Sequence, residues 1–178
     1  MNKSASAFLL FVVVSLCSTL LMAQTQQPDS DELERRNGFK NIKLNTSIDS
    51  VRGAVFKEDI TEKGGYPAKL YLVSGDDYKT IGEVKIKSIQ LKTYKDLVYE
   101  ITVITEKDPN LMKGMTKALG APSFSIRTNL YSWRSKSVVL TFEPTGKSDI
   151  KLNYKSYPVF KRMAEDKGKK AEEVESDF

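Results

Sequence analysis

Histidine is absent from this 178-residue chain, and cysteine occurs once, as Cys17. Without histidine there is no imidazole to act as base or metal ligand. Without a second cysteine there is no intrachain disulfide. Cys17 also lies inside an N-terminal apolar run, so a chain cut behind that run has no thiol for catalysis or zinc binding. Tryptophan occurs once, as Trp133. RNA-binding and helix-turn-helix signatures are missing, which argues against a nucleic-acid partner despite the net charge of +5.

What is present begins with an address. Lys3 supplies a positive charge, residues 7–23 are almost wholly apolar, and polar Gln24-Thr25-Gln26-Gln27 follows. A charged start, an apolar middle and a small residue before a polar break predict a signal peptide over residues 1–23, cut after Ala23. The mature protein is then periplasmic or secreted and carries no membrane span. The rival readings are an uncleaved anchor, since the run nearly reaches spanning length, and lipidation at Cys17. Leu16 before the cysteine and the apolar residues after it speak against lipidation.

Residues 24–37 are polar and acidic and read as a flexible spacer. Residues 38–160 read as one domain, and residues 161–178, dense in Lys and Glu, as a charged tail, a frayed helix or disordered. Within the domain, Thr46 or Ser47 caps an expected short helix carrying Ile48, Val51 and Val55. Strands follow near 69–73, 81–94 and 97–105. The apolar parity of the long strand changes between Val84-x-Ile86 and Ile89-x-Leu91, so a bulge is expected near Lys87-Ser88.

The second half is clearer. Asp108 and Pro109 suit the cap and first position of a helix, Leu111, Met112, Met115, Ala118 and Leu119 make its apolar face, and Gly120 and Pro122 end it. Period-two alternation then predicts strands over 123–128, 130–135, 138–143 and 149–155, joined by hairpin-length loops. The fold class expected is therefore α+β: two short helices, each followed by antiparallel strands in a possible doubled helix-plus-meander unit, with the helices packed on one sheet face.

Two phrases carry a resemblance: the run from Ile42 to Val51, and Leu119-Gly120-Ala121-Pro122 followed by Tyr131-Ser132-Trp133 and Val138-Val139-Leu140. They resemble small exported bacterial proteins of the SmpA/OmlA (BamE-like) type and those of the beta-lactamase-inhibitor-like fold. The resemblance spans residues 39–154 and departs where Asn45 replaces the usual glycine and where the lipidated cysteine is missing. It implies a non-catalytic binding or scaffolding role.

No catalytic, cofactor or metal set emerges from the residues. Glu58-Asp59 and Asp76-Asp77 are adjacent carboxylates, which rarely face one another across a pocket. Trp133 alternates with polar neighbours and reads as core. Tyr66, Tyr71 and Tyr78, with Lys85, Lys87 and Lys92, are the candidate partner-binding residues. The competing account is that these tyrosines pack and these lysines guard a sheet against edge pairing. The expected function is an exported, non-enzymatic binding or scaffolding protein acting on an envelope protein or anionic envelope component. The alternatives are a membrane-held assembly factor and a hydrolase using carboxylates or a Ser–Lys pair.

Overall fold

A computed structural model of the chain describes residues 30–176. The expected leader and the first part of the spacer lie outside these residues. Helix α1 (Ser30–Arg36) leads into a small hairpin of β1 (Gly38–Phe39) and β2 (Ile42–Lys43). A meander follows: β3 (Ala54–Glu62), β4 (Tyr66–Val73), the short β5 (Thr80–Ile81), β6 (Val84–Tyr94) and β7 (Leu97–Glu106). Helix α2 (Pro109–Leu119) then crosses to a second meander of β8 (Ser123–Ser125), β9 (Leu130–Arg134), β10 (Val138–Thr145) and β11 (Asp149–Ser156). Helix α3 (Tyr157–Ser176) completes the described chain.

The two meanders form one nine-stranded antiparallel sheet, in the order β3-β4-β6-β7-β11-β10-β9-β8, with β5 paired to the start of β6. Their last strands, β7 and β11, meet in the middle. The β6–β7 hairpin turns on Lys95 and Asp96, both at positive φ (48° and 62°), a conformation whose twist matches that of the flanking strands. The register slips between Ile86 and Ser88, so the bulge expected at Lys87 is present. A second slip in the same pair leaves Tyr99 without a cross-strand partner.

One sheet face holds the main core, built from Ile89, Leu91, Ile101, Val103, Leu140 and Leu152. The N-terminal hairpin, α1 and α2 cover it. On the opposite face Val159 and Met163 of α3 bury Tyr94, Tyr99 and Ala68.

The expected fold class is corrected by this arrangement. A large antiparallel sheet dominates, with three α-helices among the described residues lying against both faces, rather than two helices packed on one. The first expected helix collapses to a single 3-10 turn, Ile48–Ser50, capped by the Ser47 hydroxyl. Val51 is already extended, and Gly53 follows at φ +80°, where a Cβ would lie 2.1 Å from the Ser74 carbonyl oxygen. Only glycine fits so close an approach, and Val55 and Phe56 then enter the sheet by pairing with Leu72 and Tyr71.

Helices α1 and α3 reach into the expected spacer and tail. Residues 30–36 are helical because they have somewhere to dock. Leu33 is 1% exposed, and Glu34 accepts a hydrogen bond from the Ser137 amide at 2.9 Å. In the tail, Val159 and Met163 fall four residues apart on one helical face. That stripe anchors α3, while Lys161, Glu165, Lys169 and Lys170 are exposed. Helix α2 follows its sequence signals: Asp108 accepts from the Asn110 amide at 2.7 Å, with Pro109 in the first turn.

Candidate functional site

A cleft of about 600 Å³ opens between α1, the N-terminal hairpin and α2, on the core face of the sheet. Helix α2 supplies one wall with Leu111, Gly114, Met115 and Ala118. Leu33 and Phe39 form the wall opposite, Ile81 and Val84 close one end, and β11 contributes Leu152 and Tyr154. The hairpin wall owes its shape to Gly38. Its φ is +142°, and a Cβ there would lie 2.2 Å from the Ile42 carbonyl oxygen.

Gly114 is the telling residue of the helical wall. A glycine inside a helix costs roughly 1 kcal/mol relative to alanine. A Cβ at Gly114 would meet nothing within 4 Å, so packing does not demand the glycine. Gly114 is exposed where it lines the cleft, and the space beside it is open.

Cations rim this apolar space. Lys40 donates to the backbone carbonyls of Asp77 and Thr80, and Lys43 to that of Arg36 at 2.7 Å. Arg36 spends its Nε on Glu32 at 2.6 Å. Hydrogen bonds from Arg35 and Arg36 hold the Glu32 carboxyl down at about 2. Tyr154 is 8% exposed and its ring packs against Phe39, yet its hydroxyl has no hydrogen-bond partner among the described residues. Burial pushes the phenol well above its ordinary range, and the nearby Arg36 charge only partly offsets this. Two carboxylates also line the cleft: Glu83, exposed in the β5–β6 turn, and Asp108, committed to capping α2. The arrangement can hold an apolar body and offer hydrogen-bond donors and positive charge at its edge.

The residues singled out from sequence are scattered. Tyr66 lies with the α3 cluster, with Lys167 over its ring at 5.4 Å. Tyr71 packs edge-on against Phe56 and joins the main core on the opposite face. Tyr78 is buried there, donating to Asn41 at 2.8 Å. Lys85 is exposed beside β5, and Lys87 is ion-paired to Asp149. Lys92 sits 2.6 Å from Glu62 and 3.5 Å from Glu100. The structure brings none of the three tyrosines together with the three lysines as one surface. Trp133 is core, 1% exposed. Glu58, Asp59, Asp76 and Asp77 are all exposed, with Asp76 paired to Lys79 at 2.7 Å.

Sequence reasoning placed Lys43 in a basic patch with the strand lysines, and it missed Arg36, Lys40, Gly114 and Tyr154 as a group around it. The one local signal was Gly114, which reads from sequence as a weak point in the helix. Only the fold places it beside a cleft.

A second polar assembly lies on the α3 side of the sheet. Glu62 accepts from Lys92 and, at 2.9 Å, from the Tyr99 hydroxyl. Glu100, 6% exposed, lies near Lys92 and 3.3 Å from Lys155, and accepts from Asn153 at 3.3 Å. Every charge here has an opposite charge beside it.

Compared with known proteins, the chain matches no family model, no curated sequence and no solved structure.

Proposed function

We propose that this chain is an exported, non-catalytic binding protein of the cell envelope, and that its ligand seats in the cleft beside α2. The observation that carries the reading is the cleft of about 600 Å³ with its mainly apolar lining, beside which α2 carries Gly114 at a position where a larger residue would fit. The leader-like N-terminus supports export.

The test is native mass spectrometry of protein isolated from its own host, wild type beside Gly114→Phe. Retained small molecules on the wild type, absent from a folded Gly114→Phe protein, are the expected result. Equal loading of both proteins would move the ligand elsewhere. The same spectra read the mature N-terminus, expected at Gln24.

A second reading, contact with an envelope protein, is favoured by one observation. Strand β3 is a sheet edge, and Val55 and Phe56 on it are 63% and 49% exposed. Such an edge offers backbone groups to an added strand. Crosslinking in intact cells, with Phe56→Glu as the comparison, tests it. A protein captured by wild type and lost in the variant is the expected result; equal capture would sink it.

A further inference from the structure

The geometry points to an amphiphile with an anionic head and an alkyl tail, of which a long-chain carboxylate is the simplest case, as the ligand of the cleft. This rests on the cleft being the binding site, and the charge distribution carries it further. Three lysines of the sheet are matched to carboxylates: Lys87 to Asp149, Lys92 to Glu62, Lys151 to Glu143. Lys40 and Lys43 are treated differently. Their ammonium groups are held by backbone carbonyls, which are neutral, and neither has a carboxylate in ion-pair range among the described residues. Their positions are therefore fixed while their charges stay uncompensated.

Arg36 and Tyr154 add donors at the same rim. Arg36 uses only its Nε on Glu32, and Glu32 is already shared with Arg35. The Tyr154 side chain is largely buried, and its hydroxyl has no hydrogen-bond partner among the described residues. Asp108 at the start of α2 and Glu83 at the exposed turn share the lining with these cations, and neither is ion-paired to them among the described residues.

The ligand must also be apolar over most of its length. Leu111, Met115, Ala118, Leu33, Phe39 and Leu152 line the interior, and none offers a side-chain hydrogen bond. Methionine is unbranched and adapts its shape, which suits a flexible chain over a rigid ring. The volume falls within the range of ordinary small-molecule pockets, roughly 300–1,000 Å³. An inorganic anion would leave this surface unused, and a neutral hydrocarbon would leave the cations unused.

The test is calorimetric titration of the purified full chain with sodium laurate, lauryl alcohol and dodecyltrimethylammonium, which share a tail and differ in head charge. Laurate is expected to bind one to one and at least about tenfold more tightly than either, a difference of about 1.4 kcal/mol. Arg36→Gln alone, at an exposed position, and Arg36→Gln with Lys43→Gln are each expected to weaken laurate without moving the alcohol. Gly114→Phe is expected to abolish both. If alcohol binds as tightly as laurate, or the arginine and lysine variants leave laurate unchanged, the anionic head is wrong, and the cleft itself survives provided Gly114→Phe still removes binding. Absence of all binding overturns the cleft and the head group together. Sedimentation with phosphatidylglycerol vesicles separates the sources of the ligand. Co-sedimentation lost on adding laurate identifies a membrane lipid; laurate binding without co-sedimentation identifies a free amphiphile.

Discussion

Trp133 donates its indole N–H to the carbonyl of Gly120 at 2.8 Å, tying strand β9 to the residue that ends helix α2. The bond spans a chain reversal, and the ring is 1% exposed in the main core. The wall of the cleft is thus held at its C-terminal end by the only tryptophan in the chain. Trp133→Phe removes the donor and leaves part of the indole's volume empty. It is expected to destabilise the protein by roughly 1–3 kcal/mol, read from urea unfolding. A loss below about 0.5 kcal/mol, the level of an ordinary surface substitution, would show that the tie contributes nothing.

Gly114→Ala separates stability from function in the same helix. The added methyl meets nothing within 4 Å, and the position is helical without positive φ. Helix propensity then predicts a gain of about 1 kcal/mol. Because the methyl enters the cleft, a weaker affinity for the cleft's ligand is expected alongside a higher unfolding midpoint. A variant that gains stability and keeps full affinity would place Gly114 outside the binding volume.

How much of this was readable from the sequence depended on how far each signal had to reach. Helix α2 was legible because Asp108, Pro109 and Gly120 act on their own neighbours. Strands β4, β6, β7 and β8 to β11, and the slip at Lys87, were legible because alternation is a local record of which face is buried. The segment after Ser47 misled because Ile48, Val51 and Val55 fit a helical stripe as well as an extended run. The choice was made by Gly53 and by pairing with β4, which local spacing does not show. Helix α3 was hidden for a similar reason. Its lysines and glutamates read as solvated tail, and the surface that orders it, Tyr94 and Tyr99, comes from the first meander. The cleft was the least legible feature. Arg36, Gly114 and Tyr154 are separated along the chain, and only the β7–β11 pairing and the crossover through α2 bring them to one place.

Helix α3 buries Val159 and Met163 against the sheet, with Phe160 edge-on to Tyr99 and Asp166 bonded to Tyr94 and Lys95 around them. Met163 is 1% exposed and Val159 3%, and together they cover Tyr99 in the sheet. Met163→Ala is expected to cost roughly 2–5 kcal/mol, the range for a buried large-to-small change. The loss should be concentrated in α3, so hydrogen exchange is the sharper readout. Amides of α3 should lose protection while those of β10 and β11 keep theirs. Uniform loss across the sheet would mean that α3 and the sheet unfold as one unit.

The network beneath α3 sets a pH window. Burial pushes the Glu62 carboxyl up, but hydrogen bonds from Lys92 and Tyr99 outweigh this and hold it below its ordinary 4.5. Burial also pushes Lys92 down, and its bond to Glu62 and the field of Glu100 outweigh that and hold it above 10.5. A carboxylate held low in the folded state stabilises above its unfolded value, and that share is lost as pH falls through the lower folded value. An ammonium held high stabilises below its unfolded value, and that share is lost as pH rises through the higher folded value. Stability is therefore expected to be flat between these limits and to fall on both sides. Glu62→Gln removes the carboxylate and leaves Lys92 with Glu100 alone, 3.5 Å away. Its urea midpoint should be lower than wild type at neutral pH, and its decline through the acid range shallower, so the two curves converge at low pH. Parallel curves would show that Glu62 protonates at the same pH folded and unfolded, and the acid limb would then belong to other carboxylates.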